Sequence, residues 1–205
     1  MGTITNPPIT IRRADDTSAL RHFECGLEDM DRFIHDQEQG LAKYIECRLS
    51  TLWLVYEGEK VVAFFALSKD TLVLNHHDRD HINKDEKLSS SLPDKENNVF
   101  WERDKYPAIE IDFFAVCKEK REIKGNHLGT AIVESIAQIT AKDPLSSTLF
   151  LTVEALHTPK YSTIGFYKDH CGFEFSEKAR EAYEYNMRYG NNSTTCRMYK
   201  VIIPL

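Results

Sequence analysis

The stretch IEIDFFAVCKEKREIKGNHLGTAIVESI, Ile109 to Ile136, decides how this chain reads. It opens with Ile109–Val116 (IEIDFFAV), rich in β-branched and aromatic residues, which predicts a strand. A polar loop follows. From about Leu128 to Thr140, Ala131, Ile132, Ser135, Ile136 and Ile139 recur on one face, which predicts a helix. The loop carries Gly125 and reaches Gly129 just as that helix begins. A helix N-terminus presents unsatisfied N–H donors and the positive end of the helix dipole, so it can hold a phosphate. Glycines allow close backbone approach, and Lys120 and Lys124 add positive charge nearby.

Working outward, Thr148–Ala155 (TLFLTVEA) predicts another strand, Tyr161–His170 a helix, Gly172–Phe175 the start of a strand, and Arg197–Ile203 a closing strand. Upstream, Thr10–Arg13 reads as a first strand, followed by a helical region from about Asp16–Ser18 that breaks at Cys25-Gly26. Met30, Phe33, Ile34, Leu41, Tyr44 and Ile45 then predict one amphipathic helix from about Leu27 to Ile45. Thr51–Tyr56 and Lys60–Ser68 form a hairpin turned by Glu57-Gly58-Glu59, and both are apolar on successive residues, as when both faces of a sheet are covered. Residues 75–105 look different. They are polar, with Ile82, Leu88, Leu92, Val99 and Phe100 scattered among charges, and read as a long loop or partly helical segment, a mobile flap or insertion rather than a second domain. The order β, helices, ββ, insertion, β-α-β-α-β, β predicts an α/β chain with a mixed sheet, folded as one domain over residues 1–205.

Composition narrows the functional classes. The chain has 205 residues, 41% of them hydrophobic and 28% charged, which suits a globular protein with a substantial core. A formal charge of −6 disfavours non-specific binding to nucleic acid. Cys25, Cys47, Cys117, Cys171 and Cys196 are odd in number and scattered, so neither a disulfide framework nor a zinc site is expected. The N-terminal stretch has no apolar segment of a secretory signal, and the longest apolar run, Val61–Leu67, is too short to span a bilayer. A cytoplasmic protein with no membrane partner is expected. His77 and His81 have the spacing of a helical metal pair, but they lack helical periodicity and a partner glutamate, so no metal is expected.

Two motifs in order resemble the GNAT superfamily of N-acetyltransferases. Its acyl-CoA signature, Gln/Arg-x-x-Gly-x-Gly/Ala at the mouth of a helix, corresponds to KGNHLG, Lys124–Gly129, following the strand end Ala115-Val116. Lys124 stands where Gln or Arg is usual, and His127 stands at the first glycine position. About forty residues on, GFYKDHCGF, Gly165–Phe173, is similar to the family's helix-then-strand pattern. The amino-terminal half, with FECGLEDMDRFI, TLWLVYEGEKVVAFFALSKDTL and YPAIEI, resembles a bacterial subgroup that includes toxin-like enzymes acetylating aminoacyl-tRNA.

The resemblance implies a GNAT-type fold, acetyl-CoA as acetyl donor, and an amine acceptor on a small molecule or protein. It implies acetyl-CoA contacts from Ala115, Val116 and Cys117 and from Lys124, Gly125, Asn126, His127, Leu128, Gly129 and Thr130, with the Val116 N–H polarising the thioester carbonyl. Tyr167 is then the acid that protonates the departing thiolate. Direct attack also needs a base. Glu110 and Asp112 share one strand face, and Glu110 lies at the family's usual glutamate position. A carboxylate near 4.3 facing a lysine-like amine near 10.4 leaves roughly 8 kcal/mol to find, so a raised pKa, a bridging water or a less basic amine is required. An acetyl-cysteine route through Cys117 or Cys171 is the covalent alternative. Two further readings stand beside this one: a toxin-type enzyme acting on charged tRNA, and a CoA-binding module without chemistry. A homodimer is a family-level expectation only.

Overall fold

The computed structural model describes residues 8–85, 89, 92, 98–123, 125, 127–142, 147–190 and 194–202. The strands are β1 (Ile9–Ala14), β2 (Thr51–Glu57), β3 (Lys60–Val73), β4 (Lys105–Val116), β5 (Phe150–His157), β6 (Glu174–Phe175) and β7 (Thr194–Val201). The helices are α1 (Glu28–His35), α2 (Leu41–Glu46), α3 (His76–Lys84), α4 (Asn98–Trp101), α5 (Lys118–Arg121), α6 (Leu128–Ala141) and α7 (Glu177–Arg188), with a π turn at Phe166–His170. The strands order as β1-β2-β3-β4-β5-β7-β6. Pairing is antiparallel for β1/β2, β2/β3, β5/β7 and β6/β7, and parallel for β4/β5, so the sheet is mixed as expected.

Contacts divide the chain into two compact units. The first holds the residues up to Ser68 together with Ile111–Gly129, and the second holds Lys69–Glu110 together with Thr130 onward. In the first unit, β3 is buried on both faces from Val62 to Ala66, because aromatic and small apolar residues follow one another without a polar alternate. Phe64 meets Phe23 edge-on at 5.5 Å. The single helix expected over Leu27–Ile45 is two helices. Asp36 ends α1 by accepting the Glu38 and Gln39 N–H groups, and those same bonds, Gln39's foremost, hold its carboxyl below the usual range. Gly40 then lets the chain pass so close to α1 that a Cβ there would lie 2.1 Å from the Phe33 carbonyl oxygen. The apolar periodicity continues across this break, which is why it reads as one helix.

In the second unit, the described part of residues 75–105 is partly helical, one of the two forms expected for it. His76–Lys84 is a helix, and its N-terminus is closed by a reciprocal box: Asn75 accepts from the Asp78 N–H, and Asp78 accepts from the Asn75 N–H. Ile82, Leu92 and Phe100 are buried with Leu72, Leu74, Tyr106 and Phe150 in one cluster, so these apolar residues are core rather than parts of a loose flap. Leu88 and the Val99 side chain lie outside the described residues. α7 is absent from the sequence expectation. Its stretch EKAREAYEYNMR carries no clear apolar stripe, although Ser176 caps it by accepting from the Ala179 N–H. The helix expected over Tyr161–His170 includes the π turn.

Asp78 joins the two helix starts. It is 5% exposed, and its second oxygen accepts the Glu177 N–H at 2.6 Å while Asn75 Nδ2 donates to Glu177. One carboxylate therefore terminates both α3 and α7. Asp78→Ala strands donors at both helix starts and should cost about 2–4 kcal/mol in urea unfolding, with Asp78→Asn intermediate. A loss under about 0.5 kcal/mol would show that water serves the two ends equally well.

Candidate active site

In the first unit the site is built where β4 ends. Ala115 and Cys117 are buried and Val116 is half-buried. The Cys117 N–H donates to the Val62 carbonyl at 2.8 Å and the Lys118 N–H to the Glu24 carbonyl at 2.9 Å, which anchors the chain as it leaves the strand. The loop expected here begins with the short helix α5, which the sequence does not announce. Lys120 donates to Glu57 at 2.6 Å and Lys60 pairs with Glu119, so Lys120 is committed to a carboxylate rather than offered to a phosphate. Gly125 has φ +76°, the left-handed region that favours glycine, and a Cβ there would meet open space. His127 is exposed, and Leu128 and Gly129 form the half-buried first turn of α6. Lys124 and Asn126 lie outside the described residues.

The FECG stretch supports this corner. Asp31, in the first turn of α1, accepts the Cys25 N–H at 2.7 Å and the Gly26 N–H at 2.9 Å. Gly26 has φ +76°, and a Cβ on it would lie 3.0 Å from the Lys118 stem, so α5 rests directly on that backbone. Asp112 is equally tied down. The Ser50 hydroxyl donates to one of its oxygens at 2.5 Å and the Ser68 hydroxyl to the other at 2.8 Å. It thus ties β4 to the residue before β2 and to the interior of β3, a role that hydroxyls from distant sequence decide and β4 alone does not reveal.

In the second unit, Glu110 is half-buried on β4 in parallel register with Thr152. Tyr167 is buried on the π turn, with Phe166 and Phe173 rings at 5.1 and 5.3 Å. Its N–H donates to the Thr163 carbonyl in an ordinary helical bond, whereas the Cys171 N–H reaches back to Phe166 at 3.2 Å, the wider closure of a π turn. Burial first, then Cys171 and Tyr161, push the Tyr167 phenol above its ordinary value, so it is protonated at any physiological pH.

Two residues the sequence reading did not single out, Lys200 and Glu134, meet at that turn. Lys200 Nζ donates to the Cys171 carbonyl at 2.8 Å, and Glu134 pairs with Lys200. The one signal was Lys200 itself, a charge in the row Cys196, Met198, Lys200 where β7 is otherwise apolar.

No protein-family model matches the chain, and no curated protein sequence matches it. Solved structures do. A Tyr-to-Phe variant of KacT aligns at 16% identity over 95% of each chain, with a TM-score of 0.56. AtaTR bound with acetyl-CoA aligns at 16% identity over 95% of this chain and 94% of its own, TM-score 0.57. AtaT complexed with acetyl-methionyl-tRNAfMet aligns at 19% identity over 86% of this chain and 99% of its own, TM-score 0.55. This chain has the GNAT-type fold. At these identities the likeness is one of fold, and it matches the mixed sheet and the strand-loop-helix order expected for a GNAT chain.

Within that GNAT fold the covalent alternative loses ground. Burial pushes the Cys171 thiol up to about 11, as it does Cys25 and Cys196, so Cys171 is a neutral thiol at pH 7. Cys117 is buried, and Cys47 is the exposed cysteine of the five. A disulfide-exchange reagent at pH 8 should therefore titrate one thiol per native chain and five after unfolding, with the fast label mapped to Cys47 by mass spectrometry. Rapid labelling of Cys171 would contradict the buried, protonated state.

Proposed function

We propose that this chain is an N-acetyltransferase that moves the acetyl group of acetyl-CoA onto a primary amine by direct attack. The observation that carries the reading is Tyr167, a buried phenol kept protonated on a π turn, a backbone form that recurs at functional sites. The fold supports it, since a solved neighbour of the same fold is bound with acetyl-CoA. The first turn of α6, with Gly129 and Thr130, supplies N–H donors for the pyrophosphate, helped by Lys124 and Asn126. The unprotonated amine forms a C–N bond to the thioester carbon, and the charge gathered on the carbonyl oxygen is met by the Val116 N–H. Glu110, directly or through water, takes the amine proton. The C–S bond then breaks and Tyr167 gives its proton to the leaving sulfur. Asp112, held by two serine hydroxyls, shapes the strand instead of moving a proton.

A second reading puts aminoacyl-tRNA in the acceptor position. The neighbour AtaT complexed with acetyl-methionyl-tRNAfMet favours it. An α-amino group near 7.7–8.0 is also far easier to deprotonate than a lysine, which relaxes the demand on Glu110. The formal charge of −6 opposes it, because a polyanion would have to be held against the average field. Acetylation assayed over polyamines, peptides, small amines and charged tRNA separates the two acceptors.

Tyr167→Phe removes only the hydroxyl. Turnover should fall by a factor on the order of 10², with acetyl-CoA affinity and Tm nearly unchanged. Full activity in that variant would remove the proposed acid. Gly129→Phe should weaken acetyl-CoA binding in calorimetry by at least tenfold, on the order expected for blocking phosphate approach to a helix end, while circular dichroism stays native. Undiminished affinity in the folded variant would move the pyrophosphate elsewhere.

A further inference from the structure

We propose that Lys200 is a positioning residue for Tyr167, holding the π turn in the form that keeps the phenol directed inward; this rests on the reading of Tyr167 as proton donor. Lys200 lies on β7 with its side chain only 16% exposed, where apolar residues flank it along the strand face. An ammonium withdrawn from water is costly unless paired and hydrogen-bonded. Lys200 meets that cost with two partners, the Glu134 carboxylate and the Cys171 carbonyl.

Those partners define what the lysine does. Cys171 caps the π turn: its N–H closes the turn onto Phe166, and Gly172 follows with φ +71°. The Phe173 N–H then returns to the Tyr167 carbonyl at 2.9 Å. The Cys171 carbonyl belongs to the set that a helix end leaves without an internal partner, and Lys200 supplies one. The other partner of Lys200, Glu134, stands on α6, so the lysine links the turn to that helix. The end of the turn is therefore clamped between β7 and the helix whose N-terminus is assigned to the pyrophosphate.

A closure of this kind fits one extra residue into the turn. If it relaxed to ordinary helical pairing, residues on one side would rotate by about 100° relative to the other, enough to carry a side chain off its face. Net stability does not explain the pair, because an apolar residue of similar length would fill the slot at equal or lower cost. Geometric selection of the turn does.

The test is a double-mutant cycle on kcat and on KM for acetyl-CoA, using the full chain and checking each variant for native circular dichroism. Lys200→Met should lower kcat about tenfold with little change in KM. In a Tyr167→Phe background the same substitution should cause no further loss, because its effect passes through the phenol. Lys200→Arg, which keeps the charge and the donors, should recover most of the activity. If Lys200→Met fails to fold, Glu134→Gln provides the second arm, with the same loss of kcat and the same dependence on Tyr167. A folded Lys200→Met chain with normal kcat overturns the proposal, as does an equal further loss in the Tyr167→Phe background. An unchanged kcat in Tyr167→Phe alone removes the donor reading, and the positioning role goes with it.

Discussion

The backbone register of β4 is the constraint on which the candidate chemistry hangs. Its pairing with β5 runs through Ala108↔Phe150, Ile109↔Leu151 and Glu110↔Thr152, which sets the side of the sheet that Glu110 faces. Two residues further on, Asp112 is gripped by Ser50 and Ser68, and at the strand's exit the Cys117 N–H is bonded to Val62. A one-residue slip would exchange Glu110 and Asp112 for Ile111 and Phe113 and undo every one of these bonds. The helix start at Leu128 can sit where it does because the chain leaving β4 is already fixed at both Cys117 and Lys118.

Polar groups withdrawn from water share one pattern: each ties together pieces of chain that are remote in sequence. Asp78 closes two helix starts, Asp31 holds the Cys25-Gly26 corner, Asp112 links β3 and β4 to the residue before β2, and Lys200 joins β7, α6 and the π turn. Ion pairs and hydrogen bonds of this sort contribute modest net stability, because desolvation offsets most of what they gain. Leaving one member alone is far more costly, so they act mainly by excluding alternative arrangements. In this chain the excluded alternatives are other arrangements of helix starts, corners and turns.

Wherever one face of an element is apolar, its type was legible. IEIDFFAV and KVVAFFALS read as strands, and the recurrence of Ile132, Ile136 and Ile139 marked α6. Elements whose signal is polar escaped. α3 is announced by the Asn75/Asp78 box and α7 by the Ser176 cap, and neither shows in a search for apolar periodicity. The break between α1 and α2 was invisible for the opposite reason, since the apolar spacing carries on through it while Asp36 and Gly40 end one helix and start another. Tyr167 could be singled out from its motif, but the partners of its turn could not, because Lys200 lies 29 residues beyond Cys171 and no local pattern links them.

Sequence by itself determined the mixed α/β order, the strand-loop-helix around Gly125 and Gly129, and the residue types on offer, because periodicity and turn chemistry depend on near neighbours. Tertiary structure alone decided which of those groups are free to act. Lys120 is spent on Glu57, Asp112 on two serines, and Cys171 is a buried neutral thiol, while Tyr167 is set inward on a clamped π turn. The physical reason is that protonation, burial and hydrogen-bond partnership depend on what lies across space, and the partners that settle them arrive from distant parts of the chain.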